Sequence, residues 1–444
     1  MQRNQANIWS WLGLRNNFDY SKAKPLGALA GVLLLILCVS FFLTALTSLY
    51  LLFVAMLSVD LSDQDPTGAA IRNIGLVAVA MFGGPFVIWR SIVAQRQVDV
   101  AEQGQITDRI SKAVEGLGSV RSERRVIESD NNEAASLSQE SLEFIEPNLE
   151  VRIGAIFALE RISQDSLRDH IQIMEILSAY IRNNCKREID IYFEIDRIND
   201  APDYPKRYTP LRADLWTALL VIGRRSPSSI EYERSLDSPY SIDLQGANFS
   251  GVKIDKIDLR FSKLNNTVWS YAGLRWANFS GAHIDNGDFR RADLEYVNFN
   301  DSWLFDVSFE CGSVAEGSFA SAYLSQCDFG KCGLEATKFS DTRIEFCDFR
   351  RANLGGASFG ASRFFRSVLE TAQLFGTDFS RVTEMDQKCL EGTLGIKTGD
   401  GMTAIPAHLI PPENWLKPTA FENGIDALAV YEDAYEVMMN ADGG

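Results

Sequence analysis

From Leu244 to Phe379 every fifth residue is Leu, Ile, Val, Phe or Trp, 28 positions in succession with no slip of register. Two places before each stands Ala, Ser, Thr, Gly, Val or Cys, except at Ile242 and Ile257. A helix repeats about every 3.6 residues and a strand every second residue, so neither puts these positions on one face. A quintet with two inward positions suits one side of a square coil, with four quintets to the turn. Residues four quintets apart should then stack, and their chemistry agrees. Phe249, Trp269, Phe289, Phe309, Phe329, Phe349 and Leu369 form one column, and Leu259, Phe279, Phe299, Phe319, Phe339, Phe359 and Phe379 another. The two remaining columns, begun by Leu244 and Ile254, are almost wholly aliphatic. Phe-rich sides face each other, as do aliphatic sides, in seven coils. At the roughly 4.8 Å spacing of neighbouring strands such a rod is about 34 Å long.

The quintets ANFSG, ADLEY, CDFRR and ANLGG resemble the A(D/N)Lxx unit of the pentapeptide-repeat family, over roughly residues 240–385. The resemblance implies a right-handed quadrilateral β-helix. VRIGAIFALERI, RADLWTALLVIGRR and the stretch 386–415 also resemble modules that accompany such repeats in membrane-anchored bacterial proteins. They imply no reaction.

Ahead of the repeats, residues 25–57 contain no charged side chain and exceed the roughly 20 residues needed to span a bilayer. A second apolar run, 74–89, ends at Arg90. The first run is too long, and too far from the start, for a signal peptide. Arg3, Arg15, Lys22 and Lys24 precede the pair, Arg90 and Arg96 follow it, and the connection carries three Asp and no base. The excess of bases on the flanks predicts a transmembrane hairpin with both ends cytoplasmic. Its helices are expected over about 26–57 and 73–92, loosened at Gly83, Gly84 and Pro85. Ser40, Thr44, Thr47 and Ser48 share one helical face, either as packing contacts or as the lining of a conducting path in an oligomer.

The expected order is a cytoplasmic segment (1–24), the hairpin (25–92), a juxtamembrane helix with a small helical domain (93–240), the β-helix (241–385), and a cap with an acidic tail (386–444). In the helical domain 97–119 reads as a helix, 120–144 as a loop, 147–184 as two helices broken at SQDS, 189–195 as a strand, and 212–225 as a helix stopped at Gly223. Ile173, Ile176, Leu177, Tyr180 and Ile181 make an apolar stripe, and Asp165 or Ser166 is placed to cap the helix that carries it.

Little here suggests an enzyme. No P-loop, GxGxxG, HExxH or GxSxG motif occurs, and the chain has only three His. His170 reads as a core or capping residue. Seven Cys without a CxxC pair fit a reducing compartment rather than a disulfide framework, and Cys327, Cys332 and Cys347 fall on the small inward position as core thiols. No cofactor or metal is expected. The net charge of −16 argues against general nucleic-acid binding. Some pentapeptide-repeat proteins mimic DNA, but residues 241–385 hold 19 acids against 15 bases, too balanced for a continuous anionic surface.

One side of the coil differs from the rest. Before the centres of one aliphatic column stand Lys263, His283, Trp303, Tyr323, Arg343 and Arg363, and after them Phe305, Phe346, Phe365 and Arg366. Aromatics interleaved with Arg are what binding surfaces are enriched in. This side is expected to take a protein partner, another copy, an anionic ligand, or the chain's own tail or helical domain; the Asp and Asn of the other columns read as solvated surface. The leading expectation is a non-enzymatic scaffold or recognition protein in a bacterial inner membrane, in contact with lipid and working through protein interaction or self-assembly. The competing one is an oligomeric, ion-permeable membrane effector of the kind used in phage defence, gated through the solenoid.

Overall fold

Two long helices lead the chain in a computed structural model of the protein, which describes residues 24–57, 67–126, 141–185, 210–397 and 402–415. The described residues fall into two compact units, divided between Asp108 and Arg109. In the first unit helix α1 (Lys24–Leu57) has one charged residue, Lys24, at its first position. Leu33, Leu35, Leu37, Phe42, Leu46 and Phe53 along it are exposed. Its side chains are described without a break only over 39–51, and among the described residues no helix is long and apolar enough to cross a membrane. The hairpin of two membrane spans is therefore not shown.

Helix α2 (Thr67–Leu117) passes through Gly83, Gly84 and Pro85 and continues well beyond the end expected near residue 92. The polar stretch after Trp89 is rich in Ala, Gln, Glu and Arg, all good helix formers, and holds no Pro; the helix carries Gly104 and Gly116 within it and ends before Gly118. The stretch read as a loop over 120–144 instead contributes strands β1 (Val120–Val126) and β2 (Ser141–Pro147), paired antiparallel from Val120↔Pro147 to Val126↔Ser141. The strand expected at 189–195, the segment 1–23 and the tail from 416 onward lie outside the described residues.

Four helices follow: α3 (Leu149–Asp165), α4 (Leu167–Asn184), α5 (Ala213–Gly223) and α6 (Pro227–Ser235). Asn148 caps α3 by accepting from Val151 N. Ser166 stands at the N-cap of α4, but its hydroxyl donates to Asp169 instead of capping, 2.7 Å away. Helices α3, α4 and α5 pack on one another through Ile156, Leu159, Ile173, Leu177, Ile181, Leu219 and Ile222, all fully buried. Gly223 ends α5 where a Cβ would stand 2.9 Å from Ile257 of the first coil.

Two charged clusters sit inside this module. Asp214, fully buried, accepts from Arg212 at 2.7 Å and from the Tyr180 hydroxyl at 2.5 Å, with Arg152 at 3.6 Å. Burial pushes the Asp214 carboxyl up, but the bonds from Arg212 and Tyr180 and the Arg212 charge outweigh it and hold the carboxyl below its ordinary range. Glu233 binds His170 at 2.8 Å and Arg225 at 2.7 Å. The other His170 nitrogen lies 3.0 Å from the Ser163 hydroxyl, so His170 is a core residue.

Beyond the module four ladders of parallel bridges climb the chain, each rung four quintets after the last until the final rungs at Leu394 and Ala404. One runs Asp243, Lys263, His283, then through the strand pairs to Trp303, Tyr323, Arg343, Arg363, and on to Thr383, seven successive steps. The β-solenoid is thus four-sided. All 28 central positions from Leu244 to Phe379 are buried. Phe309 stacks on Phe329 with ring centres 4.8 Å apart and meets Phe319 edge-on at 5.9 Å, and the same alternation recurs up both Phe columns. Offset stacks and edge contacts are the favoured arrangements of such rings.

The quintet is explained by its hydrogen bonds. The central N–H donates to the coil above, as Phe249 does to Val268 O. The residue two after the centre turns the corner with positive φ and donates upward as well, as Lys256 (φ 63) does to Arg275 O. The N–H three after it closes the turn, Ala272 to Trp269 O. The residue before the centre donates to the coil below, as Val268 does to Ala247 O. Only the residue just after the centre is left, and its N–H is taken by the side chain before the centre: Ser250 by Asn248, Arg290 by Asp288, Asn300 by Asn298, Gly330 by Asp328. The Asp and Asn of these columns are therefore structural acceptors, a correction to their reading as solvated surface.

Both ends of the solenoid are covered. At the first coil Asn248 N donates to Cys185 O at 2.9 Å, Arg182 bonds Asp243 O at 2.7 Å, and Arg225 reaches Arg260 O at 3.3 Å. At the last, Leu394 bridges to Gln373 and Ala404 to Asp378. Trp415 is buried there and donates from Nε1 to Thr393 at 3.0 Å. Open sheet ends invite further pairing, and these caps remove them.

Candidate recognition surface

On one side the solenoid departs from its own rule. Here β3 (His283–Asp285), β4 (Trp303–Phe305), β5 (Tyr323–Ser325), β6 (Arg343–Glu345) and β7 (Arg363–Phe365) form a parallel five-stranded sheet; among the described residues the other sides carry single bridges. The residue after the centre is paired within this sheet, Ser325↔Glu345 for example, except that at the first strand the Asp285 N–H is taken by Asn265 Oδ1 at 3.1 Å. It needs no Asp or Asn before the centre to take its N–H. The positions so released are Trp303, Tyr323, Arg343 and Arg363, which continue the column begun by Lys263 and His283.

All ten residues picked out from the sequence lie on this side or at its corner. His283 meets Trp303 with ring centres 5.9 Å apart, Trp303 meets Tyr323 at 4.6 Å, and the Arg343 guanidinium lies over Tyr323 at 5.2 Å. Higher up, Phe346 meets Phe365 edge-on at 5.6 Å, and Arg363 and Arg366 lie 5.6 and 5.2 Å from the Phe365 ring. Trp303 is 51 % exposed, Phe346 47 % and Phe305 38 %. Lys263 is exposed at the far end of the column.

Sequence reasoning missed Glu345. It is only 7 % exposed, takes Arg343 at 2.6 Å and the Tyr323 hydroxyl at 3.1 Å, and has Arg363 at 3.4 Å. Burial pushes its carboxyl up, but the bonds from Arg343 and Tyr323 and the two Arg charges together hold it below the ordinary range. Glu345 thus fixes the posture of three surface residues from beneath. One acid after a centre has no signature; only the pairing of Ser325, Glu345 and Phe365 shows it.

Exposed aromatics are not confined to this side. At the diagonally opposite corner Trp276 (48 % exposed) stacks on Tyr296 at 5.2 Å, with Lys256 over Trp276 and the Tyr296 hydroxyl on Glu316. In α1, Thr44 donates to Ser40 O and Phe41 O, and Thr47 to Leu43 O and Thr44 O, all at 2.9 to 3.0 Å. Hydroxyls satisfied by their own helix do not need a water-filled path. Ser48 Oγ is buried with no partner among the described residues. Cys327, Cys332 and Cys347 are buried in the coil wall, and burial pushes the Cys327 and Cys332 thiols up, leaving them unreactive.

The family model for pentapeptide repeats matches residues 272–310, 318–356 and 345–381. The solenoid thus contains pentapeptide repeats, and a helical region precedes it in the chain. No curated protein is similar enough to the chain to match it. Among solved structures it is similar to HetL of the cyanobacterium Nostoc sp. strain PCC 7120, a pentapeptide-repeat protein involved in heterocyst differentiation regulation, with 19 % identity, 40 % of this chain and 89 % of that one covered, and a TM-score of 0.21. It is similar also to QnrB1, a plasmid-mediated fluoroquinolone resistance protein, at 16 % identity, covering 38 % and 92 %, TM-score 0.19. A pentapeptide-repeat protein of the Arabidopsis thaliana thylakoid lumen shares 22 % identity, covering 23 % and 68 %, TM-score 0.15.

Proposed function

We propose that the protein is a non-enzymatic, membrane-anchored recognition scaffold whose solenoid holds a protein partner against the side built by β3–β7. Pentapeptide repeats are a fold used for protein–protein interaction. The observation that carries the reading is the exposure of Trp303, Phe305 and Phe346 beside Arg343 and Arg366 on this side. Stacked rings held by neighbours, with guanidiniums fixed by Glu345, present a rigid face that loses little freedom on binding. Membrane anchoring is supported by α1, whose exposed Leu and Phe side chains would each cost about 1.5–3 kcal/mol in water. The base-rich flanks support a cytoplasmic solenoid under a bacterial inner membrane.

The test is photo-crosslinking and recovery of the full-length chain from its native membranes. Trp303→Ala with Phe346→Ala, and separately Arg366→Glu, should lose the recovered partner while the thermal unfolding of the protein changes little. Arg366 serves better than Arg343 or Arg363, because those two are bonded to Glu345. An unchanged set of crosslinked proteins in both variants would remove the surface from consideration.

A further inference from the structure

The recognition side is a ribbon of rings and cations, and the chain outside the described residues contains a segment that complements it. Residues 421–444 hold six acids (Glu422, Asp426, Glu432, Asp433, Glu436 and Asp442) and no Lys or Arg. Phe421, Ile425, Leu428, Tyr435 and Met439 recur at i, i+4, i+7, i+14 and i+18, the pattern of one apolar helical stripe interrupted at i+11 by Glu432. Glu422, Asp426, Asp433 and Glu436 flank that stripe on one edge.

We propose that this acidic amphipathic segment lies along the β3–β7 side of its own solenoid, over Trp303, Tyr323, Phe346 and Phe365, and withholds that side from other partners. The inference rests on reading that side as a recognition surface. Three observations support it. The chain leaves its last described residue, Trp415, at the solenoid's C-terminal end, where β7 and Thr383 also lie. The linking stretch 416–420 can bridge up to about 17 Å, enough to turn from that end onto the adjacent side. As a helix, residues 421–444 would measure about 36 Å, against about 29 Å for the six steps from Thr383 down to Lys263.

Charge favours the same occupant. Arg343 and Arg363 share one carboxylate, Glu345, and Arg363 has Glu384 as well. Arg366 lies on the Phe365 ring at the sheet's corner and has no acidic partner among the described residues. An acid-edged stripe laid on the ring ribbon would set its carboxylates toward Arg366 and Arg343. The α3–α6 module is not a rival occupant, since it contacts the first coil and leaves Trp303 exposed.

The experiment is hydroxyl-radical footprinting of the full-length protein in detergent, beside a chain ending at residue 420 and a full-length Asp433→Lys/Glu436→Lys variant. Oxidation of Trp303 and Phe346 should rise several-fold in both variants, while Trp276, on the opposite corner, stays unchanged and reports an intact solenoid. A photo-crosslinker placed at position 323 should join residues 421–444 within a band of monomer mass. Equal oxidation of Trp303 in all three proteins would overturn the proposal, as would crosslinks to the tail found only at dimer mass, which would assign the segment to a second copy. Either failure leaves the partner-recovery test of the surface untouched. Loss of partner recovery by Trp303→Ala/Phe346→Ala, without any tail effect, would keep the surface and discard its occupant.

Discussion

Phe309 has near-identical neighbours one coil to either side, Phe289 and Phe329, and ring contacts like its own recur from Phe279 to Phe359. Asp214, in the helical module against the first coil, is not repeated: Arg212, Tyr180 and Arg152 all converge on that one carboxylate, as Arg343, Arg363 and Tyr323 converge on Glu345 at a single place on the solenoid's surface sheet. The solenoid's core thus spreads its stability over many similar ring contacts, whereas the module's core concentrates it in two buried charge clusters. A repeated contact can be weakened once at modest cost. A unique buried charge cannot lose its partner without stranding the others.

The sharpest way to break this comparison is Asp214→Ala, which strips the buried Arg152 of its counter-charge and the Tyr180 hydroxyl of its acceptor and should cost about 3–5 kcal/mol, read from chemical denaturation followed at Trp216. Acid gives the same answer by another route. The Asp214 pKa is depressed in the folded state, so its contribution is full above the unfolded carboxyl value near pH 4 and is lost as pH falls through the folded value. The gap in denaturation midpoint between the wild type and Asp214→Asn should therefore hold from about pH 7 to 5 and close below about pH 4. A gap that stayed constant with pH would deny Asp214 this role.

Within the solenoid Phe319→Leu should cost less, under about 1.5 kcal/mol, because Leu259 and Leu369 already occupy Phe-column positions. A loss matching Asp214→Ala would erase the contrast between the regions. Smallest is Asn298→Ala, which frees the Asn300 N–H from its 2.9 Å bond and should cost about 1 kcal/mol. Hydrogen exchange at Asn300 should speed up while amides one coil away keep their protection. Protection lost along the whole rod would mean that the coils do not act as separable units.

The repeat was legible because a period of five closes into coils of four quintets, and the side-chain classes agree with that closure at every step. The ten surface residues followed from that register. The helices over 149–184 and 213–223 were also readable, from their apolar spacing and from Gly223. The strand pair was not: RSERRV has no alternation of apolar and polar residues, and its partner begins only at Ser141. The length of α2 was obscured because Gly83, Gly84 and Pro85 read as loosening points and charge returns at Arg90. The function of the Asp and Asn columns was hidden for a different reason. Which N–H lacks a backbone partner is a property of the stacked coils, and no single quintet contains that information.

The uniform four-quintet step of the bridge ladders also constrains how such a rod can change through evolution. Inserting one quintet would carry every residue beyond it round to the neighbouring side, and a continuous stripe such as Trp303, Tyr323, Arg343 and Arg363 would be split between two walls. Insertions of four quintets keep the walls in line and only lengthen the rod. Lineages that preserve the stripe should therefore differ in length by whole coils, whereas those that shift by single quintets would have to assemble a new stripe elsewhere.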